Sequence, residues 1–223
     1  MKRLFTLLFV LFFVPLTFGQ FIPKFGMAVG GSVAMPQGEM GDLYKTGYGG
    51  YFTLILPVPG PFEVSATAGF NTFKFNNDYI NKLFKDATGT DPGLDLDIPL
   101  TIIPVTANAR YYFIPALVKP YAEVNLGLSF GTIKARVPDP LPGNPYNMKS
   151  MESSETKQYL GIGAGVVIGL GIVADLDINA RYALLGHEFA VSTTTVQGGT
   201  VTYTESKSNG SLFGINAGLR LKL

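Results

Sequence analysis

Eight separate stretches of the chain alternate large apolar residues with polar or small ones at a period of two. That repeat restricts the fold more than any other feature. A strand sends successive side chains to opposite faces, whereas a helix repeats every 3.6 residues. Phe62, Val64, Ala66, Ala68 and Phe70 alternate with Glu63, Ser65, Thr67, Gly69 and Asn71. The same pattern runs through 105–113, 121–130, 175–182 and 213–223. Residues 27–35, 47–56 and 159–169 complete the set with small or Gly-rich second faces. Each stretch is about ten residues long, which suits a tilted strand crossing a bilayer.

The connections alternate as well. Segments 57–61, 114–119 and 170–174 are short, while 36–46, 74–97, 132–157 and 187–210 are long and polar. Short periplasmic turns and long external loops mark outer-membrane barrels. The predicted fold is therefore all-β: an eight-stranded antiparallel transmembrane up-and-down β-barrel. A secreted β-sandwich also alternates, but its exposed face is charged, at roughly 25% of residues or more. Here only 15% of the 223 residues are charged and 47% are hydrophobic. After the first twenty residues the nearest candidate for a spanning helix is Tyr159 to Ala174, without a charge, and it places Gly161, Gly163, Gly165, Gly169 and Gly171 on one parity. It reads as a strand, not a spanning helix.

Lys2 and Arg3 precede an apolar run from Leu4 to Val14, with small residues before Gln20. This is the pattern of a secretory signal peptide, expected at 1–19 and cleaved after Gly19, with the barrel domain at 20–223. Composition closes several other routes. The chain has no Cys and one His, so disulfides, Cys nucleophiles and multi-His metal centres are excluded. A formal charge of +1 gives no footprint for nucleic acid. No cofactor is implied.

Ile98-Pro99-Leu100 running to Ala109-Arg110-Tyr111-Tyr112-Phe113 resembles the fourth strand of small outer-membrane β-barrel proteins of Bacteroidetes type. Lys119-Pro120-Tyr121-Ala122-Glu123 with Gly127 resembles their fifth strand, and Ala180-Arg181-Tyr182 their seventh. The final Gly218 to Leu223 is similar to the C-terminal strand recognised by the barrel-assembly machinery, though it ends on Leu223 where an aromatic is usual. The resemblance implies membership of an OmpA/OmpX/OmpW-like superfamily, residence in outer-membrane lipid of a Gram-negative envelope, and no specific activity.

Register is testable across 114–119. If Phe113 opposes Pro120, then Tyr112 faces Tyr121, Arg110 faces Glu123, Asn108 faces Asn125 and Thr106 faces Gly127. Opposite charges directly across a pair are favourable. The inward charges gather near the periplasmic end: Glu63, Glu123, Asp175 and Asp177 against Arg110, Arg181, Arg220 and Lys222. Six of them, Glu63, Arg110, Glu123, Asp177, Arg181 and Arg220, form an expected lumen ionic network, with Asp175 and Lys222 left in periplasmic water. Gly161, Gly163 and Gly165 are expected to make room for Asp177 and Arg181. The only clear inward aromatics above this layer are Tyr51 and Tyr159.

In the second external loop, Asn77 to Ala87 reads as a short helix capped by Asn77 or Asp78 and stopped by Gly89, with Ile80, Leu83, Phe84 and Ala87 on one face. It is placed over the barrel mouth or on the membrane surface. Four prolines in 138–145 predict an extended segment. Residues 189–196 and 200–205 read as a hairpin symmetric about Gly198, which needs a bulge near Gly186 or Gly210 to restore parity. Its free edge offers strand addition to an unknown surface partner. His187 is expected at the solvated rim. Neither it nor Ser192 matches the His-x-Ser arrangement of lipid A deacylases, so the chain is read as non-enzymatic. The leading function is an envelope barrel with a plugged lumen and binding loops. A narrow passive diffusion channel, porin-like or OmpW-like, is the alternative, and an accessory barrel in a secretion machine comes third.

Overall fold

A computed structural model describes residues 25–138, 148–197 and 200–222. Eight antiparallel strands run β1 (Gly26–Gln37), β2 (Gly47–Pro57), β3 (Phe62–Phe73), β4 (Leu100–Tyr112), β5 (Val118–Pro138), β6 (Met148–Gly169), β7 (Ala174–Gln197) and β8 (Thr200–Lys222). Each pairs with its sequence neighbours, and β8 pairs with β1, so the sheet is a closed barrel. Closure removes the unpaired edges that could not be tolerated in hydrocarbon. The expected signal peptide at 1–19 and most of the proline-rich 138–145 segment lie outside the described residues.

The outer face follows the parity of each strand. Val29, Phe52, Leu54, Val105, Val124, Leu126, Ile162 and Leu219 all point outward and are exposed. Among the described residues, no outward position on the paired lower part of the barrel carries a charge. At the short-turn end, Phe62, Tyr111 and Phe113 form a chain of ring contacts with centroids 5.3 and 5.4 Å apart. An apolar band edged by aromatics is the lipid-facing surface of a transmembrane barrel.

Strand lengths depart from the sequence reading. β4 begins at Leu100, five residues earlier than its alternation suggested, because Pro104 interrupts the pattern without ending the strand. Pro104 has no N–H to donate, and β4 skips its pairs with Gly69 and Phe70 while continuing its ladder to β5. β5 to β8 are 21 to 24 residues long rather than about ten. Much of the expected loops at 132–157 and 187–210 is therefore strand. A 24-residue strand reaches about 80 Å along its path, so the β5–β6 and β7–β8 hairpins project well beyond the apolar band. The β6–β7 ladder, by contrast, stops at Tyr159 opposite Leu185.

The β7–β8 hairpin is centred between residues 198 and 199, not on Gly198, since Gln197 faces Thr200. The register shift lies between Leu184 and Glu188: β7 advances four residues while β8 advances two, from Ser211 to Asn209. That bulge brings Asp177 opposite Gly218, inward against inward.

Two helices lie at the long-loop end. α1 (Glu39–Leu43) occupies part of the segment read as plain loop, and its Met40 is wholly buried in the barrel mouth. α2 (Asn77–Thr88) is the expected helix, but Asn76 is its N-cap and makes no side-chain cap bond. Asn77 is instead occupied with Asp95 and Leu96. Gly89 closes the helix in the left-handed region at φ 74°, which a residue with a Cβ would enter only with strain. On α2, Ile80 and Leu83 are half-buried and Phe84 is 49% exposed. Met40 of α1 thus closes the mouth from within.

If the outer band contacts lipid, Leu126→Arg, near its middle, should lower stability by about 2–4 kcal/mol. Denaturant titration of the barrel in phospholipid vesicles measures it; an unchanged midpoint would show that this face is not in the bilayer.

Candidate functional site

An eight-stranded barrel is just wide enough for side chains to fill it, so the lumen is where the inward residues must find their partners. At the short-turn end one row of directly opposed residues runs Glu63, Arg110, Glu123, Gly163, Arg181 and Gly214 across six successive strands. Acid and base alternate, and glycines leave space for the long side chains. Arg110 is the hub. Its Nε donates to Glu123 Oε2 at 2.9 Å and its Nη1 to Asp177 Oδ2 at 2.5 Å. Glu63 Oε1 lies 3.6 Å from the same Nη1. Arg181 holds the other Glu123 oxygen from Nε at 2.9 Å and Nη2 at 2.7 Å. Arg220 donates to Glu63 Oε2 and, at 2.6 Å, to the Tyr112 hydroxyl.

The structure brings Glu63, Arg110, Glu123, Asp177, Arg181 and Arg220 into one connected cluster of three acids and three bases. Glu123 is 3% exposed and Asp177 also 3%. Asp175 is buried too, opposite Arg220 in the ladder, and does not sit in open water as its place near the strand end suggested. The side chain of Lys222 lies outside the described residues.

Two tyrosines belong to this cluster although their inward parity was read only as a cross-strand pair. Tyr112 donates to Glu63 Oε2 at 2.9 Å and Tyr121 to Asp177 Oδ1 at 2.6 Å. The Arg110 guanidinium sits 4.3 Å from the Tyr121 ring centroid, a cation–π contact. Their position two residues from Arg110 and Glu123, on the same face, was the available signal.

Gly163 opposes Arg181 of β7 as expected, but Asp177 faces Val167, and all three glycines also serve β5. Gly161, Gly163 and Gly165 oppose Asn125, Glu123 and Tyr121 of β5. A Cβ on Gly163 would lie 3.1 Å from Glu123 Oε1, and one on Gly165 2.7 Å from the Tyr121 ring. In a second such row, Tyr51 spreads over Gly30 and Gly218.

Above the ions lies a neutral hydrogen-bonded layer. Asn108 donates to Ser65 at 3.2 Å and Thr67 at 2.9 Å, and accepts from Thr106 and Asn125. Thr53 bonds Thr67 at 2.8 Å, and Asn216 donates to Asn179 at 2.7 Å. Higher still is an apolar plug of Met40, Tyr44, Phe73, Leu100, Ile102, Tyr159, Leu185, Phe189 and Leu212. Tyr44, Phe73 and Phe189 add inward aromatics beyond Tyr51 and Tyr159. A cavity of about 60 Å³ remains between Arg110 and Arg181 below and Ile102, Tyr159 and Leu212 above.

His187 is not at a solvated rim. It is 7% exposed, with Nε2 2.8 Å from Ser129 Oγ and Nδ1 3.6 Å from Glu155 Oε2. Ser129 is completely buried and lines neither the lumen cavity nor the pocket beside His187. The pair has the spacing of a nucleophile and its base but not the access that catalysis needs. Among the described residues, no group of His, Asp and Glu could hold a metal ion.

No protein-family model matches the chain, and no curated protein shows significant sequence similarity to it. Solved structures do share its fold. The chain is similar to a major outer membrane protein from Thermus thermophilus (TM-score 0.57, 12% identity, covering 89% of this chain and 99% of that one). It is also similar to Neisserial surface protein A (TM-score 0.53, 18% identity, 90% and 97%). A third is Ail, the attachment invasion locus protein of Yersinia pestis (TM-score 0.50, 12% identity, 89% and 97%). The likeness is one of fold: this is an eight-stranded barrel of the architecture found in outer-membrane proteins.

Replacing Glu123 with Gln strands Arg110 and Arg181 beside a neutral amide. Breaking a buried ion pair on one side typically costs about 3–5 kcal/mol, and urea titration of the refolded barrel is expected to show a loss of that order. A variant as stable as the parent would mean that the cluster is hydrated and loosely held.

Proposed function

We propose that the protein is an integral, non-enzymatic outer-membrane barrel whose lumen is closed, and that it acts in envelope structure or surface binding through the projecting hairpins and loops. The observation that carries this reading is the Arg110-centred cluster, which joins β3, β4, β5, β7 and β8 across the interior. An ion crossing this level would have to displace buried carboxylates or guanidinium groups from their partners, at a cost of several kcal/mol each. The neutral and apolar layers above it add two further barriers of different chemistry.

In this reading residues 1–19 are a signal peptide removed on export, the short turns face the periplasm, and the C-terminal strand ending at Leu223 is the segment offered to the barrel-assembly machinery. The Bacteroidetes-type likeness of strands β4, β5 and β7 belongs to the same reading. Ail was determined in complex with the heparin analogue sucrose octasulfate. That supports a surface-binding role for a barrel of this fold, without supplying a ligand for this one.

A narrow OmpW-like channel for apolar solutes is the second reading, favoured by the inward apolar layer of Phe73, Ile102, Tyr159 and Phe189. Conductance separates the two. Residues 20–223 refolded into a planar lipid bilayer are expected to insert without steady current. Stable channels that disappear when the 60 Å³ cavity is filled by Ala183→Leu would overturn the closed-lumen reading and support the channel.

A further inference from the structure

The three short turns carry no polar side chain. Segments 58–61, 113–117 and 170–173 hold thirteen residues, all of them Pro, Gly, Ala, Val, Leu, Ile or Phe. Turns in water also use Asn, Asp and Ser, whose side chains bond their own backbone. Here the bends are made with Pro and with Gly60 and Gly171, at φ 91° and 134°. The long connection 74–97 of the same chain, by contrast, carries eight charged residues.

The apolar side chains of these turns are uncovered. Ile172 is 92% exposed, Leu117 71% and Val173 67%, and Val58, Ile114 and Leu170 are exposed with them. Leu117 lies against Gly169, where a Cβ would come 3.0 Å from its Cδ1, so the β4–β5 and β6–β7 turns touch.

Three observations select lipid as what covers these residues. The turns are spread around the rim, between β2 and β3, β4 and β5, and β6 and β7. A soluble partner docks on one side of a barrel end, whereas a leaflet surrounds it. The turns also continue the lipid-facing band, since Phe113 is both the last ring of the Phe62–Tyr111–Phe113 chain and the first residue of its turn. Finally, many of their backbone donors do not need water. Pro59, Pro61 and Pro115 have no N–H. The N–H groups of Phe113, Gly169 and Leu170 donate to Pro120, Leu117 and Ala174 at 3.0, 2.9 and 3.1 Å.

We propose that the short-turn end is a lipid-binding surface, with all three turns sunk into the periplasmic leaflet where phospholipid headgroups meet acyl chains. Apolar faces of interfacial helices lie about 5–10 Å into the same boundary. The turns then anchor the barrel in that leaflet, and the charged loops all stand at the opposite end. The inference rests on the reading of the apolar band as membrane-spanning with the short turns on the periplasmic side.

The chain has no tryptophan, so one introduced residue reports alone. Val58→Trp, Leu117→Trp and Ile172→Trp place a reporter on each turn. Leu126→Trp in the middle of the band and Thr90→Trp in the exposed long loop are the references. All five positions are exposed, so heat-modifiable gel migration should match the parent. Ile114→Trp and Val173→Trp replace any turn variant that fails to fold. Each variant is refolded into phosphatidylcholine vesicles containing no other protein, with brominated phospholipid in the bilayer or iodide on both sides of it. The turn reporters are expected to emit to the blue of Thr90→Trp and to escape iodide. Bromines near the headgroup end of the acyl chain should quench them more than bromines near its tip, the reverse of the order at Leu126→Trp. Turn reporters quenched by iodide and not by bromolipid, beside a lipid-quenched Leu126→Trp, would overturn the proposal and leave the turns to a soluble partner. Lipid quenching at one turn only would overturn it as well. A Leu126→Trp reporter that bromolipid does not quench would overturn the spanning reading, and this proposal with it.

Discussion

Hydrocarbon offers no hydrogen bonds to the backbone, and every other feature of this barrel follows from that. A sheet in lipid must close on itself, and closure at eight strands creates an interior too narrow for bulk water. Polar side chains directed inward must therefore satisfy one another. The chain meets this demand in three layers: paired ions near the short turns, neutral amides and hydroxyls in the middle, and an apolar plug at the mouth completed by Met40 of α1. Glycines at Gly161, Gly163 and Gly165 are the counterpart of that crowding. One strand gives up side chains so that Tyr121, Glu123 and Asn125 can cross the interior.

Much of this was legible because the period-two pattern carries side-chain direction along with strand identity. Arg110 opposite Glu123 followed from parity and a short turn at 114–119, since a brief connection leaves few registers open. Glu63 opposite Arg110 could not be read in the same way, because the long connection between β3 and β4 leaves their register free. The inward parity of Asp177, Arg181 and Arg220 was visible, but not which acid each base would meet.

What escaped the sequence reading has a common physical origin. Strands were ended where amphipathic alternation faded, yet a strand leaving the membrane no longer needs a lipid-facing apolar face. Leu100, Ile102, Phe73 and Phe189 lie on the inward parity of strands that run further than their alternation. Extending those strands would have revealed the apolar plug. The burial of His187 had no such signal, for it depends on the two-residue register shift and on Gly131 of another strand.

The sequence separations inside the ionic cluster bear on how the barrel is built. Arg110 and Glu123 are 13 residues apart, Arg110 and Asp177 are 67 apart, and Arg220 and Glu63 are 157 apart. Loop-closure entropy delays the distant contacts relative to the near ones. A half-assembled sheet can pair β4 with β5 early, but Arg220 reaches Glu63 only when β8 has joined β1. Until that moment the growing wall carries charges whose partners are on the opposite edge. The last hydrogen-bonded seam and the last ion pairs therefore form together, and the cluster makes closure a single cooperative event instead of a gradual zipping.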